Sequence, residues 1–436
     1  MNINKHRVSR LDVHSTDILP RVGIKVVAMT STTSAQTNAK RVRLRELIPE
    51  IRLGKWERTG PKNGITDVKG VLVHTESIHD KEKGVNTGVT TIVPRKEWME
   101  QACYAGMFRY NGCGELTGSH WLDDTGLLGS PIVLSNSFAV GACHTGIYQY
   151  GARHYRNQSG DIDWFLMPVV GETYDGMLND LSQFVVTPEH VIRGIEKASS
   201  DPVPEGNTGG GTGMTCHGFK AGTGTSSRLV PGLDQDGKET DYTVAALVQA
   251  NYGRLYSFTV AGAPVGRILW EEQGREAAAK KARDEYEKAK SIKDGSIIVV
   301  IATDAPLNPV QLQRLARRAT RGVSRVGGYG NTNSGDIFMA FSTGTVAPGQ
   351  YESGAIEQAP DRAELLQHKA VDERKMDSLL EAAGEATEEA ILNAICMAET
   401  LTGFRGRTVE AMPLERVKNI VQRHIDLEKE LAAKQN

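Results

Sequence analysis

A five-residue run of β-branched aliphatics, Ile297-Ile298-Val299-Val300-Ile301, stands between the polar turn Asp294-Gly295-Ser296 and the sequence Thr303-Asp304-Ala305-Pro306. A short, uninterrupted apolar run bounded by turn formers predicts a buried strand. Upstream, residues 65–74 have the pattern strand, turn, strand, and residues 86–94 that of a further strand rich in Val, Ile and Thr. Residues 131–134 and 165–170 follow the same pattern. Residues 223–228 and 242–248 pair as strands around the turn Asp234-Gln235-Asp236-Gly237, and residues 337–342 form the last strand. Helical spacing is found at residues 44–51, 121–128, 140–150, 191–199 and 310–320, the last with an Arg-rich face expected to be solvated. Residues 268–290, rich in Glu, Ala, Lys and Arg, predict an exposed helix linking two halves of the chain. Helices with polar faces over 361–383, 387–401 and 417–434 close it, and no internal repeat is evident.

Composition narrows the class. The 436 residues suffice for one large or two to three ordinary domains, and 39% hydrophobic residues with 46 glycines exclude a disordered chain. Lys plus Arg is 51 against 53 for Asp plus Glu, a net charge of -2, which gives no overall attraction to nucleic acid or to an anionic membrane. A small neutral or zwitterionic partner fits better. No run of eighteen apolar residues predicts a spanning helix. Residues 1–43 are polar and basic and are expected to form a disordered tail ahead of one domain over 44–436. The apolar patch at 22–29 is broken by Lys25 and is too short for a signal peptide, although Ser34-Ala35-Gln36 faintly resembles a cleavage region. Met29 is an alternative start. The expected compartment is the cytoplasm, with the periplasm or secretion as the alternative.

The five cysteines, Cys103, Cys113, Cys143, Cys216 and Cys396, lack metal-ligand spacing and are odd in number, so buried free thiols are expected, with no metal. Cys143-His144 and Cys216-His217 are adjacent in sequence, which in a strand sends the side chains to opposite faces. More informative is Gly295-Ser296. Glycine leaves its carbonyl unshielded, so attack by the Ser296 hydroxyl on it would break the chain and make Ser296 a new N-terminus. Taken alone, these residues more commonly form an ordinary turn entering a strand. The same holds for the other polar strand ends. Glu172 and Tyr174 lie in Gly171-Glu172-Thr173-Tyr174-Asp175-Gly176, Asn251 in Gln249-Ala250-Asn251-Tyr252-Gly253, and Ser334 and Asp336 in the glycine-rich stretch 327–336. Two further glycine-rich loops, 111–118 and 206–216, do not end in Gly-Lys-Ser/Thr, and the second fits close backbone packing or a substrate-lining loop better than a phosphate cradle.

Taken together and in order, Gly171 to Gly176, Gly209 to Met214, Leu247 to Gly253, Asp294-Gly295-Ser296, Ala302-Thr303-Asp304-Ala305-Pro306-Leu307 and Asn331 to Phe338 resemble the DmpA/BapA family of self-processing aminopeptidases, from about residue 44 to about 413. The family comprises L-aminopeptidase/D-amidase-esterases and β-peptidyl aminopeptidases. The resemblance implies a four-layer αββα sandwich of the DmpA/ornithine-acetyltransferase type, related to N-terminal-nucleophile hydrolases with different strand connectivity. It implies self-cleavage into residues 1–295 and 296–436, and assembly of the processed units, commonly as a tetramer. Ser296 takes the place of the nucleophile. Ser334 and Asp336 match the serine and carboxylate that orient it, although some members carry Glu where this chain has Asp336. Asn251 matches the oxyanion-hole asparagine, Glu172 the carboxylate that receives the free amine of the substrate, and Tyr174 an active-site tyrosine.

The expected activity is removal of N-terminal residues from short peptides, amides or esters through an acyl-enzyme on Ser296, without a cofactor. Two alternatives compete with it. An acyltransferase resembling ornithine acetyltransferase would use Thr where this chain has Ser296, and a catalytically silent binding protein would not need Ser296, Ser334, Asp336 and Asn251 together. Whether the substrate residue is α-, D- or β-amino is not legible.

Overall fold

The computed structural model describes residues 40–274, 295–349, 365 and 367–434. The tail, most of the exposed helix expected at 268–290, and most of 361–366 lie outside these residues. The strands, in chain order, are β1 (Leu72–Asp80), β2 (Val85–Val93), β3 (Gln101–Arg109), β4 (Leu127–Leu128), β5 (Ile132–Asn136), β6 (Val169–Thr173), β7 (Thr215–Cys216), β8 (Phe219–Lys220), β9 (Thr223–Leu233), β10 (Glu239–Asn251), β11 (Ser296–Thr303), β12 (Gly335–Pro348), β13 (Leu401–Thr402) and β14 (Thr408–Val409). The longer helices are α1 (Val140–His154), α2 (Pro188–Lys197), α3 (Val265–Glu272), α4 (Pro309–Arg317), α5 (Ala319–Arg325), α6 (Asp377–Cys396) and α7 (Leu414–Ala433).

One sheet has the order β1-β2-β5-β6 and the other β4-β3-β12-β11-β10-β9. The apolar run predicted as a buried strand is β11, buried at every position because it lies inside the larger sheet and contributes to both faces. Ile298, Val300 and Ala302 join Leu247, Met339 and Phe341 in the layer between the two sheets, against Ile92, Leu134 and Val169. Ile297, Val299 and Ile301 face the other way, onto α4, α5 and α6. On the far side of the smaller sheet, Val89, Val133 and Val170 pack beneath Cys143 and Ile147 of α1 and Val191 and Ile195 of α2. The result is an αββα sandwich with parallel pairs β11/β12 and β5/β6 among otherwise antiparallel neighbours.

Three expectations change. Residues 65–71 do not form a strand. A single 3-10 turn, Ile65–Asp67, occurs instead, because the Asp67 carboxylate accepts from the backbone N–H groups of Lys62 and Gly64 and from Ser227 Oγ, curling the chain onto itself. Residues 387–401 do not begin a separate helix, since α6 runs unbroken through Gly384 to Cys396. Nor is its polar side solvated: Glu385, Glu388 and Glu389 are buried and meet Arg228, Arg325 and Arg45. Residues 41–43 belong with the folded body. The Arg41 guanidinium donates to the carbonyls of Cys396 and Met412, and that of Arg43 to Lys62, Asn63 and Thr225.

The glycines at 209–211 fold into a 3-10 turn between the sheets. A Cβ on Gly210 would come within 2.0 Å of Gln249 Oε1 and 2.6 Å of the Leu134 oxygen, so the run serves close backbone packing.

Candidate active site

Register places the first candidates side by side. Asn251, the last residue of β10, stands opposite Ser296, the first of β11, and Ser296 stands opposite Gly335, the first of β12. Residues opposite each other in a sheet share a face, and for Ser296 and Asn251 that face is the layer between the sheets, two positions beyond Ile298 and Gln249. Ser296 is completely buried, and its Oγ accepts a hydrogen bond of 3.0 Å from the Gly335 N–H. Gly335 admits no side chain: a Cβ there would be 2.5 Å from Gly114 Cα and 2.6 Å from the Cys113 oxygen.

Gly295 is equally confined, since a Cβ would lie 2.3 Å from the Asn251 oxygen and 2.7 Å from Tyr252 Cα. It borders a small cleft shared with Tyr252, Ser334 and Asp336. There Ser334 Oγ is 2.7 Å from Asp336 Oδ2 and 2.8 Å from the Asn331 oxygen, and its single proton can serve one of them at a time. Asn111 Nδ2 donates to Ser334 Oγ at 2.9 Å and to the Asn331 oxygen at 3.0 Å. Among the described residues, Ser334 and Asp336 therefore hold each other, while the Ser296 hydroxyl is held by the Gly335 backbone. The 295–296 peptide bond sits between the two groups.

The Asn251 carboxamide is fixed at both ends. Its Oδ1 accepts from the Thr215 N–H at 3.0 Å, and its Nδ2 donates to the Tyr174 carbonyl at 2.8 Å. Tyr174 thus reaches Asn251 through its backbone, while its phenol lies over Gly176, where a Cβ would be 2.4 Å from the hydroxyl. Glu172 is buried on β6; its Oε1 accepts from the Glu115 N–H at 3.1 Å and its Oε2 from Ser137 Oγ. A Cβ on Gly114 would be 2.8 Å from Gly335 Cα and 3.4 Å from Glu172 Oε1, so one glycine separates this carboxylate from the residue that holds Ser296.

The loop 110–115 joins these parts. The Tyr110 and Asn111 N–H groups donate to the Asp336 carbonyl, Cys113 N–H to that of Ser334, and Glu115 N–H to the Glu172 side chain. Sequence reasoning noted its glycines without connecting them to the site, and Asn111, Ser137, Thr215 and Gly335 were not singled out. Cys143 and Cys216 are buried free thiols, as expected, and burial pushes both up to about 12, so neither offers a thiolate near neutrality to the histidine beside it. No group of three His, Cys, Asp or Glu side chains placed to hold a metal occurs among the described residues, and none of their helices is long and apolar enough to cross a membrane.

The four-layer αββα sandwich, with the comparisons to known proteins, makes this chain a serine aminopeptidase of the N-terminal-nucleophile-like class. The chain belongs to peptidase family S58, whose family model matches residues 63–409, and with it to the DmpA/BapA group. It is 41% identical over 377 residues to the beta-peptidyl aminopeptidase BapA of Sphingosinicella microcystinivorans, covering 84% of this chain and 89% of that protein. A Burkholderia sp. beta-aminopeptidase superposes with a TM-score of 0.74 at 38% identity, covering 88% of this chain and 99% of that one. The L-aminopeptidase D-Ala-esterase/amidase of Ochrobactrum anthropi, described as a prototype for the serine aminopeptidases and a new variant among the Ntn hydrolase fold, superposes with a TM-score of 0.73 at 38% identity, covering 88% and 98%.

Proposed function

We propose that this aminopeptidase cuts its own chain between Gly295 and Ser296, and that Ser296 then removes N-terminal residues, β-amino residues among them, from short peptides. The β-amino preference rests on the relatives named for β-peptides. The observation that carries the site assignment is the position of the 295–296 bond. On one side lies the Ser296 hydroxyl, oriented by Gly335 N–H and facing Asn251. On the other, Gly295 borders the cleft of Ser334 and Asp336.

Once Gly295 is released, the α-amine of Ser296 occupies the edge of that cleft, beside the Ser334 hydroxyl and the Asp336 carboxylate. An α-amine titrates near ~8, so a good fraction is free base at neutral pH and can accept the hydroxyl proton. Asp336 and Ser334 orient it. The Asn251 Nδ2 carries two N–H bonds; one is spent on the Tyr174 carbonyl, and the other serves the developing oxyanion, a contact worth about 3 to 4 kcal/mol in acyl transfer. Glu172 receives the ammonium of the substrate, which requires a free N-terminus and makes the enzyme an exopeptidase. Tyr174 lines the same region.

A denaturing gel of purified protein tests the proposal. The wild-type chain gives fragments of 295 and 141 residues, the smaller beginning at Ser296 by N-terminal sequencing. Ser296→Ala gives one intact band and no hydrolysis of amino-acid p-nitroanilides; wild-type turnover in that variant would remove Ser296 from its role.

A further inference from the structure

The oxyanion role of Asn251 depends on its carboxamide being held one way round, and the two groups that hold it are peptide units, not side chains. The 214–215 unit presents the Thr215 N–H to Oδ1, and the 174–175 unit presents the Tyr174 carbonyl to Nδ2. The first of these units is pinned at its opposite end by a buried ionisable group. Lys220 Nζ donates to the Met214 oxygen at 2.8 Å, and to the Ala221 oxygen at 2.6 Å. The second adjoins another, Asp175, whose Oδ1 accepts from Asn179 Nδ2 at 3.0 Å.

Lys220 has no exposed surface and Asp175 almost none. Two unlike charges buried beneath a site in which they take no direct part call for an explanation, because each costs free energy to desolvate. Burial draws Lys220 down to about 7 and Asp175 up to about 7, and each resists the other's loss of charge. A donor on a peptide oxygen makes the N–H of the same unit a stronger donor, since hydrogen bonds in a chain polarise one another. Lys220 thus strengthens the Thr215 N–H that fixes Oδ1, and Asp175 is the buried counter-charge that favours the ammonium form of Lys220.

We infer that Lys220 is a positioning residue for the reaction, acting through the 214–215 peptide unit to hold and polarise the Asn251 carboxamide, with Asp175 as its buried counter-charge. The inference rests on the reading of Asn251 as the oxyanion donor. Neither residue touches substrate.

The test is steady-state kinetics on a p-nitroanilide, per processed molecule, for Lys220→Met, Asp175→Asn, Asn251→Ala and the double variant Lys220→Met/Asn251→Ala. Loss of positioning lowers kcat by about 10- to 100-fold with KM changed by less than about threefold in Lys220→Met. In the Asn251→Ala background the same substitution costs less than about threefold more, because the group it positions is gone. A Lys220→Met enzyme with kcat within about twofold of wild type overturns the inference, as does a loss that multiplies in full onto that of Asn251→Ala. Wild-type kcat in Asn251→Ala would instead overturn the reading of Asn251, and the inference with it. Asp175→Asn keeps the shape of the side chain and removes its charge; it carries the same kcat expectation if Lys220→Met does not fold, and unchanged kcat there counts against the inference in the same way.

Discussion

At the scale of single residues, the proposed division of labour is sharpest at Glu172. This carboxylate is buried, with Oε1 accepting from the Glu115 N–H and Oε2 from the Ser137 hydroxyl. In the proposed role it pairs with the ammonium of the substrate. Glu172→Gln preserves the volume and an acceptor for Glu115 N–H but removes that attraction. We expect kcat/KM on free-amine substrates to fall by about 2 to 5 kcal/mol in transition-state terms, while residual activity on N-blocked analogues is unchanged. Comparing the two substrate types in one assay checks this, and equal losses on both would assign Glu172 a purely structural role. The place of Ser296 at a strand start was legible because its signal is local, a Gly-Ser turn running into five aliphatics, while its candidacy as nucleophile came from the family resemblance. Asn111, Thr215 and Lys220 were not, since each acts on a partner brought near only by the fold, and a glycine-rich loop or a lone lysine has no local pattern that announces it.

At the scale of elements, α6 departs furthest from its sequence. Its glutamates gave it a polar face, and the sequence pattern placed a break between residues 383 and 387. Instead Gly384 lies against Arg318 and Arg321, and a Cβ on Gly322 would be 2.6 Å from Thr387 Cβ, so small residues bring α5 and α6 close together. Charge then had to be matched inside. Arg228 of β9, fully buried, lies 2.8 Å from Glu389 and 3.8 Å from Glu385, while Arg45 reaches Glu389 from the other side. Burial alone would raise Glu389, but Arg228 and Arg45 carry it below its ordinary value. Removing one partner of such a cluster leaves an uncompensated buried charge. Arg228→Met should therefore destabilise the fold by about 3 to 5 kcal/mol, and adding Glu389→Gln should recover part of the loss. Urea unfolding of the two variants decides this. Periodicity cannot distinguish a helix whose charges face water from one whose charges face a buried arginine, because the partner lies on a strand some 160 residues away. By contrast, β9, β10, β11 and β12 were recognisable, since their apolar content and turn residues are contiguous.

At the scale of the whole molecule, the four-layer architecture followed from the family resemblance and not from periodicity, which finds strands without saying which sheet they join. The whole also determines how stability responds to pH. Burial between Tyr252 and Phe258 draws His217 down to about 4. The folded protein keeps this ring neutral, whereas the unfolded chain takes up a proton below about 6.5, so the contribution of His217 is complete above that pH and is lost as pH falls toward 4. Glu205 and Glu388, raised to about 7 by burial, act in the opposite sense: their contribution is complete below the ordinary glutamate range and is lost as pH rises through 7. His217→Asn tolerates the left-handed backbone at this position (φ 51°) and leaves the two glutamates in place. Relative to the wild type, it should lose up to about 3 kcal/mol less stability between pH 6.5 and 4. Denaturation midpoints at pH 8 and pH 5 measure the difference, and parallel profiles would count against it.

The complete enclosure of Ser296 has a consequence for when the enzyme can act. In the intact chain the Ser296 hydroxyl has no exposed surface, so a peptide from outside does not reach it. If the chain cuts itself as proposed, a freshly folded molecule is dormant by construction, needs neither an inhibitor to keep it quiet nor a second protease to wake it, and becomes active on an internal clock that starts when folding ends.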